Sequence, residues 1–346
     1  MRYRALSFVL LAAALGASLP AKAQDAVETF YRGKQIDLII GSAPGGGYDA
    51  YARLVARHMG KYIPGNPTLV PKNMPGARSA RSAAYLYKIA PKDGTAITAS
   101  FSGALVDPLF NPQTRDQYDP TKFQYIGSAN NEVALCEIWH TAPVQTMEEA
   151  FKKETIVGAS QTGGTSVDFA ASLVNVLGVK LKIVAGYEGS KDMLLAMERS
   201  EIGGICGQLW SSIATASQDW IRDKKIIFWV QMALKPHPDL PNVPMVWNYV
   251  KSDRDRQVLE LIYGQLVFGR PYFLPPGVPK ERVEALRTAF MKTMQDEGYR
   301  QEAAKEKLEN NPVAGPEIQA LIDKMYAVDP AIAKAAADAQ KLPKQN

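Results

Sequence analysis

Short apolar segments alternate with glycine-containing turns and amphipathic helices along most of this sequence, and this alternation limits the folds that the chain can adopt. The pattern first occurs as a strand at residues 36–40, a turn at 42–47 and a helix that begins near Asp49. It recurs around strands predicted at 68–71 and 155–159. Alternating strands and helices predict an α/β fold in which helices flank mainly parallel sheets.

The first residues of the chain predict its compartment. Arg2 and Arg4 precede an apolar run at 6–19, and Ala21-Lys22-Ala23 places small residues where a signal peptidase cuts. This pattern predicts a secretory signal peptide, residues 1–23, that is removed. The alternative is a membrane anchor, but the run is shorter than the ~20 apolar residues that a spanning helix needs. We therefore expect a soluble periplasmic protein.

Size and charge narrow the class of protein further. Removing 23 of the 346 residues leaves 323, more than one hydrophobic core usually serves, so two lobes are expected. The 40 Lys and Arg exceed the 35 Asp and Glu, and three of the basic residues belong to the signal peptide, which leaves a mature balance of +2. Dense basic runs are missing from the sequence, which disfavours a nucleic-acid partner.

Two cysteines, Cys136 and Cys206, lie in apolar segments that predict strands. A disulfide bond is compatible with the periplasm. Two buried free thiols fit the same apolar surroundings. The sequence leaves both alternatives open, and neither cysteine has the neighbours of a catalytic nucleophile.

The turn after the first strand carries the strongest ligand-binding signal. Gly45, Gly46 and Gly47 let the backbone approach a ligand closely, and the following helix offers free N–H groups and a partial positive charge. Asp49 is the predicted N-cap of that helix. The turn lacks the defining residues of phosphate-binding and dinucleotide-binding loops. It therefore predicts a general anion site, with a tight turn that binds nothing as the structural alternative.

Two later turns, at residues 162–166 and at Gly189-Ser190, also join a strand to a helix and present hydroxyl groups. Ligands of open α/β sheets bind beyond the carboxyl ends of the strands, where such loops gather. If two lobes face each other, helix N-termini from both converge on one cleft and can neutralise a carboxylate without an arginine. Tyr48 and Tyr187 lie in these loops and either line the cleft or pack in the core.

The sequence gives little support for catalysis. His58 lies on the apolar face of a helix, His140 ends a strand and His237 lies between prolines. None of the three has a neighbour at the spacing of a metal site or a catalytic triad. We therefore predict neither an enzyme nor a bound metal or cofactor.

Several motifs, in order, resemble those of one known family. A short strand, the residues P-G-G-G-x-D and an amphipathic helix open the mature chain, followed by N-M-P-G-A at 73–77 and P-K-D-G-T at 91–95. These motifs are similar to those of tripartite tricarboxylate transporter receptors, the Bug or TctC type of solute-binding protein. The resemblance implies a two-lobed periplasmic-binding-protein fold of type II, the Venus-flytrap architecture. It assigns residues 24–132 and 226–346 to the first lobe and 133–225 to the second.

The resemblance also implies which residues contact the ligand, and the turns described above are among them. The implied ligand-binding set is Ser42, Ala43, Gly45, Gly46, Gly47, Tyr48, Asp49, Ser102, Gly103, Thr162, Gly163, Gly164, Thr165, Ser166, Tyr187, Gly189, Ser190 and Gln208. Relatives commonly have glycine at the positions of Arg78 and Ser79, so Arg78 is expected to add a positive charge near the cleft. Many members have an Asp-Asn pair near Gly207, and the loss of that acid disfavours a ligand with an amino group.

The sequence thus predicts a monomeric periplasmic receptor that captures a small organic anion, with carboxylates as the expected class. The resemblance implies delivery to the membrane permease subunits of a tripartite tricarboxylate transporter. A ligand sensor that presents its closed form to a signalling protein is the alternative. A secreted enzyme of the same architecture would need a nucleophile, base or metal set that the sequence does not supply. The identity of the ligand stays open.

Overall fold

The computed structural model describes residues 19–160 and 164–344, with side chains from residue 25 onward. Most of the predicted signal peptide lies outside this part, and helix α1 (Leu19–Tyr31) begins inside the predicted peptide. Within the described part, no helix is both long enough and apolar enough to cross a membrane.

The N-terminal third of the chain builds most of a first sheet. Its elements after α1 are β1 (Gln35–Ile40), α2 (Gly47–Met59), β2 (Thr68–Asn73), α3 (Ala80–Lys88), β3 (Ala96–Ala99), α4 (Gly103–Phe110), α5 (Pro112–Arg115) and β4 (Gln124–Ser128). Strand β1 pairs in parallel with both β2 and β3. Leu54 and Val55 on the apolar stripe of α2 are fully buried, as the helical spacing predicts.

The middle of the chain builds a second sheet. Its elements are β5 (Ala134–Trp139), α6 (Met147–Ala150), β6 (Thr155–Ala159), α7 (Thr165–Ser172) continued by a π-helical turn (Leu173–Leu177), β7 (Leu181–Ala185), α8 (Ser190–Glu198), β8 (Gly204–Leu209), α9 (Trp210–Ala216), α10 (Gln218–Arg222) and β9 (Ile226–Met232). The strand order is β7-β6-β8-β5-β9.

The rest of the chain returns to the first sheet. Its elements are α11 (Asp253–Tyr263), β10 (Pro271–Leu274), α12 (Lys280–Gln295), α13 (Glu297–Lys305), β11 (Val313–Ala314), α14 (Gly315–Tyr326) and α15 (Pro330–Ala339). The first sheet then has the order β11-β4-β10-β3-β1-β2. Two helix-flanked sheets confirm the predicted two-lobed α/β fold.

Both sheets are mixed, and most of their strands run in one direction, as predicted: four of the six in the first sheet and four of the five in the second. In the first sheet, β10 runs antiparallel to β3 and β4, and β11 runs antiparallel to β4. In the second sheet, β5 runs antiparallel to β8 and β9.

Strand β9 belongs to the second sheet. The sequence led us to expect that it returns the chain to the first lobe, but it pairs with β5 at the edge of the second sheet. The chain beyond β9 stays beside this sheet, because the Gln231 amide donates to the carbonyl of Pro244. The apolar run of β9 therefore covers the free edge of β5.

Cys136 and Cys206 form a disulfide bond between β5 and β8. The two residues lie directly opposite each other in the antiparallel pair, and both are fully buried. This resolves the alternative that the sequence left open.

The C-terminal helix α15 packs on elements of both lobes. It contacts α4 beside the first sheet and α7 beside the second, and Ile332 and Ala336 are buried. The amide of Asn175, in the π-helical turn after α7, donates to the carbonyl of Ala339 at 3.0 Å. The alanine-rich face of α15 therefore fills a gap between the lobes.

Candidate ligand-binding site

The glycine turn that follows β1 is held by an acidic side chain within α2. Helix α2 begins at Gly47, and its N-cap is Gly46 rather than the predicted Asp49. Asp49 is buried, and its carboxylate accepts from the Gly45 amide at 2.9 Å and from Arg53 at 2.9 Å. Burial acts to raise the pKa of Asp49, but the hydrogen bonds from Arg53, Gly45 and Asn73 outweigh it and hold that pKa below its ordinary value. Asp49 therefore shapes the turn and leaves the exposed backbone of Gly45 to Gly47 open.

Ser79 ties this turn to the loop after β3. Its hydroxyl donates to the carbonyl of Gly41 at 2.9 Å and accepts from the Phe101 amide at 3.0 Å. Ser79 is fully buried, with a left-handed backbone at φ 72°. Ala77 and Arg78 before it are also left-handed, at φ 45° and 52°, a conformation that costs roughly 1–2 kcal/mol per residue. The two hydrogen bonds of Ser79 hold this strained turn in place.

Replacing Ser79 with alanine should destabilise the protein by about 2 kcal/mol, because the Gly41 carbonyl and the Phe101 amide lose their common partner. Ser79→Gly is the matched control, since it removes the same hydroxyl and relieves the left-handed strain, and should be more stable than Ser79→Ala by ~1 kcal/mol. Urea unfolding of both variants measures the difference. A Ser79→Ala protein as stable as the wild type would contradict the conclusion that the Ser79 hydrogen bonds link these two loops.

Arg270, which the sequence analysis did not identify, lies beneath the glycine turn. Its guanidinium carbon is 4.1 Å from the centre of the Tyr48 ring, and a Cβ added to Gly47 would lie 3.7 Å from its Nη2 atom. Glu132 neutralises it through an ion pair at 3.0 Å, and Ser211 donates to the same carboxylate oxygen at 2.9 Å. The sequence does carry a signal for this buried ion pair. Arg270 is the single arginine in the otherwise apolar run 266–274, and a buried charged residue is usually paired.

The opposing loop of the second lobe, after β6, is closed by serine hydroxyls. Ser166 Oγ accepts from the Ser160 amide and lies 3.0 Å from Ser160 Oγ. Helix α7 begins at Thr165, and its N-cap Gly164 has no side-chain cap. Thr162 and Gly163 lie outside the described residues. Within the described residues, the N-terminus of α7 thus has no side-chain cap, like that of α2 after the glycine turn.

Gly207 and Gln208 lie against this loop. Gly207 has φ 97°, and a Cβ there would overlap the carbonyl oxygen of Thr165, so only glycine allows this approach. Gln208 is 6% exposed, and its amide oxygen and nitrogen have no hydrogen-bond partner within the described part of the chain. Ser42 Oγ, next to the glycine turn, is also buried and has no hydrogen-bond partner within the described residues. Both predicted site residues thus have unused hydrogen-bonding capacity.

Arg78 joins the two lobes. Its Nη2 atom lies 3.4 Å from Asp168 in the first turn of α7 and 3.2 Å from the position of a Cβ on Gly103. Tyr48 in turn packs on Phe101, with ring centres 4.4 Å apart. A continuous set of contacts therefore runs from the glycine turn, through the loop of Ser102 and Gly103, to α7 of the second lobe. The structure brings these three predicted segments together.

The remaining predicted residues lie in the neighbouring loop after β7. The Gly186 and Tyr187 amides donate to the carbonyl of Ala159, which places this loop beside the one after β6. The Tyr187 ring is half-buried against Gly158 and Met193. Gly189 is the N-cap of α8, also without a side-chain cap, and Ser190 is exposed. Tyr187 therefore packs on its own lobe, and the described contacts do not join Gly189 or Ser190 to the first lobe.

The three histidines have structural partners. His58 contacts Glu302 at 2.6 Å and Asp296 at 3.4 Å, which joins α2 to the start of α13. His237 is buried, with its Nε2 atom 3.7 Å from Glu309, and the His140 ring packs against the Trp139 ring with centres 5.1 Å apart. Within the described residues, no group of three or more His, Cys, Asp or Glu side chains could hold a metal ion.

We compared the sequence and the fold of this chain with those of known proteins. No protein-family profile matches the chain. A protein of Pseudomonas sp. strain P51, described as a UPF0065 protein in the tcbD–tcbE intergenic region, is 24% identical over 265 residues, which cover 75% of this chain and 74% of that protein. A TctC solute-binding protein from Polaromonas superposes with a TM-score of 0.70 at 20% identity, over 89% of this chain and 99% of that one. The fold is that of the TctC proteins.

Two further TctC-like neighbours carry ligands. MatC of Rhodopseudomonas palustris, with bound malate, has a TM-score of 0.60 at 18% identity and covers 88% of this chain and 99% of its own. An R. palustris protein with adipate has a TM-score of 0.62 at 19% identity and covers 88% and 97%. The resemblance predicted from the sequence is thus confirmed for the fold, and these neighbours are binding proteins rather than enzymes.

Proposed function

We propose that this chain is a periplasmic receptor that holds a small organic carboxylate between its lobes and delivers it to a tripartite tricarboxylate-type membrane transporter. One observation supports this most directly. Two uncapped helix N-termini, at Gly46 and Gly164, belong to opposite lobes and are linked by the contacts through Phe101 and Arg78. Helix N-termini bind anions through free N–H groups and a partial positive charge.

The electrostatics of the site favour main-chain recognition of the anion. The one buried cation beneath the glycine turn, within the described residues, is Arg270, and Glu132 cancels its charge. The uncapped amides are therefore the main attraction for a carboxylate. Ser42 and Gln208 add a hydroxyl and an amide for the rest of the ligand. A ligand bound more tightly by the closed form than by the open form would shift the protein towards closure.

The ligand class and the biological role rest on further support. Malate and adipate in the two ligand-bound neighbours are both dicarboxylates, so we propose a dicarboxylate for this chain also. The predicted signal peptide supports a periplasmic location, and the binding-protein neighbours support binding without catalysis. The proposed permease partner follows from the resemblance to tripartite tricarboxylate receptors.

A thermal-shift screen against mono-, di- and tricarboxylates, aromatic acids and amino acids tests this function. A true ligand at 100 times its dissociation constant should stabilise the protein by about 2.7 kcal/mol. Dicarboxylates should give the largest shifts, and amino acids none. No response from any carboxylate would overturn the proposed function.

Gly46→Val should abolish the response while leaving the empty protein folded. A Cβ at Gly46 meets nothing within 4 Å, and the backbone there is extended at φ −90°. The added methyl groups therefore occupy ligand space rather than protein space, at a cost of about 1 kcal/mol for a poorer N-cap. Gly189→Val is the matched variant in the second lobe, since Gly189 is also a helix N-cap where an added Cβ meets nothing within 4 Å. Undiminished affinity in Gly46→Val would remove the glycine turn from the site.

A further inference from the structure

Arg78 is held in an unusual place for a cation. It lies in the left-handed turn before α3, and its guanidinium reaches the N-terminal ends of two helices, α4 at Gly103 and α7 at Asp168. Both ends carry a partial positive charge, which disfavours a cation. The strained backbone and the unfavourable position together indicate that this side chain is placed for a purpose other than stability.

The acidic neighbours of Arg78 satisfy it only in part. Asp168 accepts one hydrogen bond at 3.4 Å, and the nearest oxygen of Asp107 is 3.9 Å away, beyond hydrogen-bonding distance. An arginine has five N–H donors and prefers two parallel bonds to one carboxylate. Neither acid engages Arg78 in that way, and its side chain remains 41% exposed. The guanidinium therefore retains donors for a carboxylate from outside the protein.

Arg78 and the glycine turn contact the same short loop. Tyr48 of the turn packs on Phe101, and the Arg78 guanidinium lies beside Gly103. These two contact points are two residues apart in the chain. We therefore expect a short diacid with one carboxylate on the glycine turn to reach Arg78 with the other.

We propose that Arg78 is a specificity-determining residue that binds the second carboxylate of a dicarboxylate ligand. This inference rests on the proposed function, and it adds a side-chain ion pair to a site otherwise built from main-chain donors. In the structure, Asp168 accepts a hydrogen bond from the Arg78 guanidinium. The ligand carboxylate therefore competes with Asp168 for Arg78, so the Asp168 carboxylate weakens ligand binding.

Calorimetric titration with matched pairs of acids tests this proposal. Adipate and hexanoate, or succinate and butyrate, have the same carbon chain and differ in the second carboxylate. The wild type should bind one diacid about 10- to 100-fold more tightly than its monoacid, the range expected for a charge-assisted hydrogen bond. Arg78→Gln should lose that preference by weakening the diacid alone, and Arg78→Lys should keep part of it.

Asp168→Asn separates a binding role of Arg78 from a structural one. If Arg78 binds the ligand, removing its competitor should strengthen diacid binding several-fold. If the Arg78–Asp168 ion pair instead holds the lobes together, the same change should weaken all ligands. Ala77→Gly is the matched control, because it relieves strain in the same turn without changing charge and should leave the diacid preference intact.

Three results would overturn the proposal. These are an unchanged diacid preference in Arg78→Gln, an equal loss of diacid and monoacid binding, and weaker diacid binding by Asp168→Asn. Each leaves carboxylate binding by the wild type intact, so the proposed function survives them. A wild type that binds neither acid of any pair contradicts the inference about Arg78, and silence across the wider carboxylate screen would contradict the proposed function as well.

Discussion

Replacing Glu137 with glutamine should remove a loss of stability that the wild type suffers between about pH 4.5 and pH 8. Glu137 lies in β5, fully buried, and neither carboxylate oxygen has a hydrogen-bond partner within the described residues. Burial raises its pKa from 4.5 to about 8. A carboxyl in these surroundings stays protonated, because an unpaired charge in an apolar core is strongly disfavoured.

The direction of the effect follows from proton linkage. Below pH 4.5 the carboxyl is protonated in both the folded and the unfolded chain, so it contributes nothing to pH dependence. Between pH 4.5 and 8 the unfolded chain releases the proton and the folded chain keeps it, so the free energy of unfolding falls as pH rises. The full difference amounts to up to about 5 kcal/mol above pH 8.

Urea unfolding of wild type and Glu137→Gln from pH 4 to pH 9 measures this effect. The wild-type curve should fall relative to the variant, and the gap should widen across the stated window. Burial also raises the pKa of Glu309, to about 7, but that contribution is common to both proteins and cancels in their difference. Glu154→Gln, at an exposed position before β6, is the control and should track the wild type. Parallel curves for wild type and Glu137→Gln would contradict a neutral buried carboxyl.

Loss of the disulfide should be nearly as costly. The bond between Cys136 and Cys206 closes a loop with a sequence separation of 70, and restriction of the unfolded chain by such a loop stabilises the folded state by about 4 kcal/mol. The double variant Cys136→Ala, Cys206→Ala should unfold at correspondingly lower urea. Alanine is chosen because serine would add unpaired hydroxyls to a fully buried site.

Reduction provides the matched control for the disulfide prediction. A reductant should destabilise the wild type by about the same amount as the double variant, and should leave the double variant unchanged. A loss below ~1 kcal/mol in both experiments would indicate that the cross-link contributes little beyond the pairing of β5 with β8.

Local pattern in the sequence was enough to predict most strands and helices. Strand β6 (Thr155–Ala159) spans the residues predicted for it. Strand β1 (Gln35–Ile40) differs from the strand predicted at residues 36–40 by one residue. Each of these features depends on residues a few positions apart, so the sequence displays its cause directly.

The features that the sequence did not predict depend on distant residues. Ser79 bonds Gly41 across 38 positions, and Arg270 meets Glu132 more than a hundred positions away. The sheet to which β9 belongs is decided by the free edge of β5, nearly a hundred residues earlier. The amino-acid composition of each segment is compatible with contacts to several other segments. Which of these contacts forms depends on the complete fold.

The contact of α15 with both lobes has a mechanical consequence. Two covalent crossings, after β4 and after β9, join the lobes and by themselves permit both bending and twisting. Because α15 follows α14 on the first lobe and is bonded to Asn175 on the second, it forms a third, non-covalent connection between the lobes. Any rotation of one lobe against the other must therefore carry α15 with one lobe and break its contacts with the other, which adds a resistance that the two covalent crossings alone do not supply.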